Sequence, residues 1–333
     1  MIKEIDIQEW QKYTDESADE NPFLHTKWIL SISSQYKLPI IILGYFENQK
    51  LISAIPFVEK KIYFKKDKLI SLPFTDYISY ANDIPDKFIW LLKDYIKNDY
   101  SSAEIRSHVS CTDKTDATLL RHYLRLDKGY EDIKSAYHKN NRRNIKQSEK
   151  HQLTFKISRD INTINEFCAL NILTRKKHGL PPQPKSFFTT IVKNLFDHDL
   201  GFVATVYSGE KAIASAIFLT HKKTIIYKYG ASANNYLKLK PNNFLMDSVI
   251  KYSCHNNYTF FDFGICPKDN TGLRRFKLGW GATEENICYV LINHKGINSY
   301  HKKRYHKIFH SIFKMLPSKL NVFLGEILYK YVA

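Results

Sequence analysis

The sequence predicts a mixed α/β protein, an α+β mixed-sheet fold assembled from two related halves in tandem. Three observations predict it. A strand-forming stretch occurs twice: Lys50-Leu51-Ile52-Ser53-Ala54-Ile55-Pro56-Phe57 and Lys211-Ala212-Ile213-Ala214-Ser215-Ala216-Ile217-Phe218 match at an offset of 161 residues. Each copy follows an apolar arm and a polar turn, so each reads as the second arm of a hairpin. Each is then followed by more strand, a helix and another strand: 86–97 and 103–106 after the first, 242–256 and 259–263 after the second. Finally, 333 residues with 44% hydrophobic content can supply two cores, at roughly 150 residues per domain. A repeat of half the chain means two copies of one mixed domain.

Taken in order, residues 5–36 read as helical and mixed, with Trp10, Trp28 and Ile29 in the core. The first hairpin joins 39–46 to 50–59 through Glu47-Asn48-Gln49. Strand-like pieces follow at 62–64 and 69–72, then a loop at 71–77, the helix 86–97 and the strand 103–106. Residues 129–151 predict a helix whose Lys139, Arg142, Arg143, Lys146 and Lys150 share one face. That face reads either as solvated charge or as a phosphate-binding rail. The helix 162–178 stops at Gly179, with Pro181-Pro182 beyond it, and 186–196 is a second helix. The second hairpin joins 202–207 to 211–221 across Ser208-Gly209-Glu210. The strand 224–229 leads through 230–240 to a helix opening near Pro241, a residue suited to a first turn. Unpaired N–H groups there, beside Lys238 and Lys240, can hold a phosphate or carboxylate, or simply meet solvent. The tail, 299–331, interleaves basic and apolar residues as two amphipathic helices broken at Pro317. It suits packing on the second half or contact with an anionic bilayer. The expected units are 1–128, a linking basic helix 129–152, 153–298 and a helical tail 299–333.

Fifty Lys and Arg against 33 Asp and Glu give a net charge of +17. Such a field favours anionic partners: RNA, phosphorylated substrates or an acidic membrane surface. Five cysteines without a CxxC pair and thirteen histidines without HExxH spacing predict a reduced, cytoplasmic protein with no metal. No apolar run approaches the ~20 residues of a spanning helix, and the opening MIKEIDIQEW lacks the pattern of a signal peptide.

Chemistry concentrates in 259–282. A β-rich run, Thr259-Phe260-Phe261-Asp262-Phe263, breaks at Gly264. A turn-forming loop with Pro267, Asp269, Asn270 and Gly272 follows. Then come Leu273-Arg274-Arg275-Phe276-Lys277 and Gly279-Trp280-Gly281. A carboxylate thus leaves a buried strand's end, and three cations with two large aromatics return over it. Sites in α/β enzymes are commonly built this way, on loops beyond strand tips.

This pattern resembles the Fem-type peptidoglycan-bridge aminoacyltransferases and, more so, their shorter GNAT-like acyltransferase relatives of polysaccharide loci. Asn141-Arg142-Arg143-Asn144-Ile145-Lys146, Arg175-Lys176-Lys177-His178-Gly179-Leu180-Pro181 and the tail around Leu316-Pro317 and Leu324-Gly325 carry the same resemblance. It implies tandem GNAT-like domains with the site mostly in the second, and a Phe276–Lys277 pair that supports amide formation. It also implies an acyl-CoA or aminoacyl-tRNA donor and an amine acceptor on a nucleotide-sugar, a lipid-linked sugar or a peptidoglycan precursor. With the tRNA-linked donor comes tRNA as a partner, and the basic, apolar tail adds peripheral contact with the inner membrane surface. Two departures leave the donor open. The chain has no long coiled-coil arm, and it lacks the Arg/Gln-x-x-Gly-x-Gly/Ala pyrophosphate loop of ordinary acetyl-CoA enzymes.

In this reading Lys277 stabilises the oxyanion of a tetrahedral intermediate while Phe276 and Trp280 exclude water. Asp262 either holds the amine or a sugar hydroxyl, or caps the loop after it. Arg274, Arg275, Arg142, Arg143, Lys238, Lys240 and Tyr229 complete the substrate-binding set. Lys277→Ala is expected to leave the fold intact and remove transfer. The competing reading is a catalytically silent RNA- or anionic-polymer-binding protein, which the charge and 14% aromatic content permit.

Overall fold

The computed structural model describes residues 1–17, 20–62, 66–78, 84–107, 119–299 and 307–332. The strands expected at 62–64, Cys111 and the basic run His301–Arg304 fall wholly or mostly outside them. In chain order the strands are β1 (Ile2–Ile5), β2 (Ile40–Glu47), β3 (Lys50–Lys60), β4 (Asp67–Ile70), β5 (Tyr100–Ser107), β6 (Leu119–Arg125) and β7 (Thr154–Ser158). The remainder are β8 (Gly201–Ser208), β9 (Lys211–His221), β10 (Thr224–Ser232), β11 (Phe260–Pro267), β12 (Thr283–Asn293) and β13 (Gly296–Ser299).

The repeat extends to an irregularity in the backbone. β2–β3 and β8–β9 are antiparallel hairpins, and β3 and β9 are both 11 residues long. In the first hairpin the register skips Ile52, opposite the Tyr45–Phe46 step; in the second it skips Ile213, opposite Val206–Tyr207. Both bulges sit at the offset read from the sequence. A bulge sharpens local twist and bends its strand, so the two halves curve at the same place. Each half then adds an antiparallel strand, β4 or β10, crosses over by a helix, Asp86–Tyr95 or Pro241–His255, and returns as a parallel strand, β5 or β11. A parallel return needs such a crossover.

The halves also exchange strands. The whole sheet runs β1-β2-β3-β4-β5-β12-β6-β11-β10-β9-β8-β7. β6 comes before the linking basic segment yet pairs with β11. β12 pairs with β6 along Thr283–Ile287 and with β5 from Cys288 to Asn293, so one strand stitches the two sheets. Sequence reasoning missed both. The Arg121-His122 pair in β6 and the Glu284-Glu285 pair in β12 hide the alternation that marks a half-buried strand.

Packing reinforces the stitch. One apolar cluster joins Trp10, Trp28, Phe57 and Phe88 to Phe167, Phe187 and Ile191 from the other half. Burying each such side chain contributes about 1.5–3 kcal/mol. Helices Thr26–Tyr36 and Lys185–Leu195 meet there, with Gln35 donating to Ser186 (2.8 Å) and Asn194 to Ser31 (3.0 Å). A second cluster lies under helix Pro241–His255 and includes Trp280. The expected linking helix breaks in two, Tyr130–Ser135 and Lys139–Ser148, because Tyr137 turns inward between them. The tail forms Lys307–Met315 and Ser318–Val332, interrupted at Pro317 as expected, and docks on helix Thr163–Lys177.

The halves meet again where Ser17, Glu20 and His25 contact the β9–β10 turn. The rings of His25 and His221 stand edge-on at 5.2 Å. His25 also accepts the Lys27 N–H through Nδ1 (3.1 Å), capping helix Thr26–Tyr36. Burial lowers the His25 pKa; burial, then the neighbouring His25 and Lys222, push His221 down to about 4. Unfolding returns both to about 6.5, so between pH 6.5 and 4 the unfolded chain binds more protons and stability falls as pH falls. Urea midpoints are expected to drop across that window, and His221→Gln to flatten the slope. An unchanged slope in the variant would assign the acid sensitivity elsewhere.

Candidate active site

β11 pairs with β10 only as far as Asp262, and its register with β6 slips between Asp262 and Ile265. Gly264 occupies that slip with φ +70°, a conformation that glycine adopts readily. Asp262 is fully buried. It accepts hydrogen bonds from the Gly264 N–H (2.5 Å), Arg121 Nε (2.6 Å) and the Tyr77 hydroxyl. Of its two expected roles, this geometry supplies the loop-holding one. Arg121 also reaches Glu285 (2.9 Å) and lies 4.5 Å from the Tyr77 ring centre.

What the sequence left as a loop returning over the strand is a helix, Thr271–Leu278, capped by the Asn270 side chain on Leu273 N–H (3.2 Å). It delivers Lys277 to the broken strand. The ammonium donates to the carbonyls of Gly264 (2.8 Å) and Ile265 (3.0 Å), and the residue is 2% exposed. Burial lowers its pKa, opposed by Cys266, Asp76 and Asp262. An ammonium has three donors; two are committed to the backbone here. Alanine at 277 would remove the ammonium from the buried Gly264 carbonyl and the half-buried Ile265 carbonyl, and a buried carbonyl left unpaired costs about 1–3 kcal/mol. The residue's burial therefore adds a stability cost to Lys277→Ala beside the expected loss of transfer.

The first half closes the site with groups that sequence reasoning missed. Asp76 forms an ion pair with Lys228 of β10 (2.5 Å), and its backbone carbonyl accepts from the Tyr289 hydroxyl (2.6 Å). Its second carboxylate oxygen stands 2.7 Å from where a Cβ on Gly264 would be. Asp76 thus bridges the parting strands β10 and β11. Lys228 is enclosed by the rings of Phe23 (4.8 Å) and Tyr229 (5.3 Å), and burial lowers its pKa against the pull of Asp76. Tyr229 therefore joins this cluster from the side of Phe188 (5.3 Å between rings), and burial holds its hydroxyl well above the usual range. The only local signal for Asp76 and Tyr77 was a loop; Lys228, Asp262 and Tyr289, which they meet, lie more than 150 residues further along the chain.

On the outer side, Arg274 holds Glu284 through Nε (2.6 Å) and Nη2 (2.7 Å). Glu284 in turn meets His122 Nε2 (2.9 Å), and His122 Nδ1 lies 4.0 Å from Cys266 Sγ. Burial, then Lys277, lower the His122 pKa. Arg274 is thus engaged within the protein, whereas Arg275 is exposed. It lines a cleft of about 760 Å³ with His138, Asn141, Thr271, Phe276 and Gly279. Phe276 is half-buried at this cleft; Trp280 is wholly inside the core, edge-on to Tyr137 at 5.0 Å.

The remaining expected binding residues form an outer basic surface. Arg142 and Arg143 are exposed on helix Lys139–Ser148. Lys238 is exposed, and Lys240, with φ 56°, opens helix Pro241–His255, whose start has no side-chain cap. Gln147 donates to the Lys238 carbonyl (3.4 Å) and Asn243 to Asn141 (3.4 Å), which sets the two helices side by side.

Comparison with known proteins agrees with this architecture. Residues 135–284 match the model of the acetyltransferase (GNAT) domain. No curated protein matches the chain in sequence. The structure of FemX is similar with a TM-score of 0.66, at 14% identity, over 86% of this chain and 95% of that one. The C-terminal domain of a putative lysylphosphatidylglycerol synthetase from Agrobacterium fabrum gives 0.54, at 14% identity, over 87% and 93%. A tandem GNAT protein from the clavulanic acid biosynthesis pathway gives 0.50, at 6% identity, over 88% and 98%. Residues 135–284 carry a GNAT acetyltransferase domain, and the chain is an acyltransferase on that ground. Its two joined halves share the fold of FemX and of that tandem GNAT protein. The reading as a silent polymer-binding protein gives way to this assignment.

Gly264→Ala tests the junction. The added methyl meets Asp76 at a backbone angle that costs roughly 1–3 kcal/mol for a non-glycine residue. A lower denaturation midpoint and loss of transfer are expected together. A variant with wild-type stability and rate would show that the Asp76–Gly264 contact is dispensable.

Proposed function

We propose that this N-acyltransferase forms an amide between an activated acyl or aminoacyl group and an amine on a cell-envelope sugar or peptidoglycan precursor. The observation that carries the reading is the buried Lys277 ammonium, oriented by two carbonyls beside Asp262 and Asp76. Amide formation from an activated acyl group passes through a tetrahedral oxyanion. The amine nitrogen bonds to the carbonyl carbon, the donor's thiol or hydroxyl leaves, and the amine gives up a proton. A cation already fixed in a dry site stabilises that oxyanion without reorganising when charge develops. Lys277 retains one donor for this task. Phe276 keeps water from the cleft side, and the Asp76–Lys228 and Asp262–Arg121 pairs hold the strands that frame the site. Trp280 supports Phe276 from within the core.

The donor's phosphates fit the outer basic surface: the uncapped start of helix Pro241–His255 with Lys238 and Lys240, flanked by Arg142, Arg143 and Arg275. Both acyl-CoA and aminoacyl-tRNA carry such phosphates, and tRNA would use more of the surface. The likeness to FemX and to a lysylphosphatidylglycerol synthetase domain supports an envelope acceptor, nucleotide- or lipid-linked. We place the protein in the cytoplasm at the inner face of the membrane, with 1–128, 129–152, 153–298 and 299–333 as its working units, joined by the exchanged strands.

Lys277→Met keeps side-chain volume while removing the cation. At a temperature where circular dichroism reports a folded chain, kcat for transfer to a verified amine is expected to fall about 10²–10³-fold. Full turnover by folded Lys277→Met would sink the role. Incubation with isotope-labelled acyl-CoA or aminoacyl-tRNA, followed by mass spectrometry of the amine product, identifies the donor.

A further inference from the structure

The C-terminal helices have two apolar faces, and only one of them is used. The inner face of Ser318–Val332 carries Asn321, Gly325 and Tyr329, spaced four apart and buried. Tyr329 accepts a hydrogen bond from Arg175 Nη2 (2.6 Å), and Asn321 donates to the Phe313 carbonyl (2.8 Å), tying the two tail helices together. Gly325 lies so close to the Pro182 carbonyl that a Cβ there has no room. The tail is therefore clamped to the body through this face.

The outer face repeats Leu320, Phe323, Ile327 and Tyr331 at steps of three, four and four, which align on one side of a helix. All four are exposed, Phe323 by 57% and Tyr331 by 62%. Helix Lys307–Met315 adds two more exposed apolar residues, Ile312 and Met315, with Met315 exposed by 85%. Soluble surfaces scatter such residues singly; a contiguous row marks an interaction surface. Lys314 and Lys319 are exposed among them. Residues 299–333 hold seven Lys or Arg and a single acid, Glu326, in a chain of net charge +17.

We propose that this outer face lies in the headgroup region of an anionic bilayer. Phe323, Ile327, Tyr331 and Met315 enter the acyl boundary while Lys314 and Lys319 contact lipid phosphates. The assignment rests on the membrane-side placement proposed above and names the surface responsible. Because the inner face is clamped, the catalytic body is held at a fixed orientation to the lipid. An apolar face beside concentrated positive charge matches this occupant, which supplies hydrocarbon and negative charge together.

Full-length protein is sedimented with phosphatidylcholine vesicles and with phosphatidylcholine–phosphatidylglycerol vesicles, without donor or acceptor, so the result is independent of the acyltransferase reading. Binding is expected to the anionic vesicles and to weaken with salt. Phe323→Glu combined with Ile327→Glu is expected to reduce it about tenfold or more while leaving Tm unchanged. Lys314→Gln and Lys319→Gln are each expected to cost about fivefold. Tyr331→Trp is expected to shift its emission to the blue on vesicle addition. Equal binding to both vesicle types, full binding by the glutamate variant, or no emission shift would overturn the proposal. So would a concentration-dependent dimer abolished by Phe323→Glu, which would assign the face to a second copy of the chain.

Discussion

A buried ammonium must be surrounded by acceptors, or its desolvation cost goes unmet. At Lys277 the acceptors are the carbonyls of Gly264 and Ile265, presented where the register of β11 slips. The slip needs Gly264 at positive φ, and Gly264 needs Asp262 on its N–H and room beside Asp76. Asp262 in turn needs Arg121 from β6 and Tyr77 from the first half. The cation thus exists in this position only because strands from both halves converge on one point.

Strand exchange makes that convergence rigid. β12 and β6 tie each sheet to the other, and an apolar cluster spans the same boundary. Relative motion of the halves would break ladder hydrogen bonds as well as core contacts. The first half retains the repeat's topology, including its parallel pair β4–β5 and its bulge, yet it serves the site through a loop. In that half Ile78 rejoins β5 at Ser107, keeping the parallel edge closed beyond β4. In the second half β10 and β11 part after Asp262, and the first half's Asp76 enters between them. One backbone plan thus yields a closed copy and an open one.

Charge is divided by depth in the same way. The inner ion pairs are Asp76 with Lys228 and Asp262 with Arg121, while Glu284 with Arg274 is half-exposed. Lys238, Arg142, Arg143 and Arg275 lie outside and remain exposed. The inner set fixes geometry in a low-dielectric site, where each pair is costly to break singly. The outer set, screened by solvent, suits attraction of a phosphate-bearing ligand.

The sequence by itself determined the plan: two hairpins at one offset, the helix and strand after each, the break at Pro317, and the residues around 259–282. These are local signals, written in periodicity, turn chemistry and spacing that neighbouring residues carry together. Asp262, Phe276 and Lys277 were legible for that reason. Only the tertiary structure decided that Trp280 is core, that Arg274 is bound to Glu284, and that Asp76, Tyr77, Arg121 and Lys228 complete the cluster. Each of those outcomes depends on a partner from a different strand or the other half, and pairing across such separations leaves no periodic mark in the chain. Lys277 itself belongs to both accounts: its position could be read from the motif, but its burial follows from where β11 breaks register.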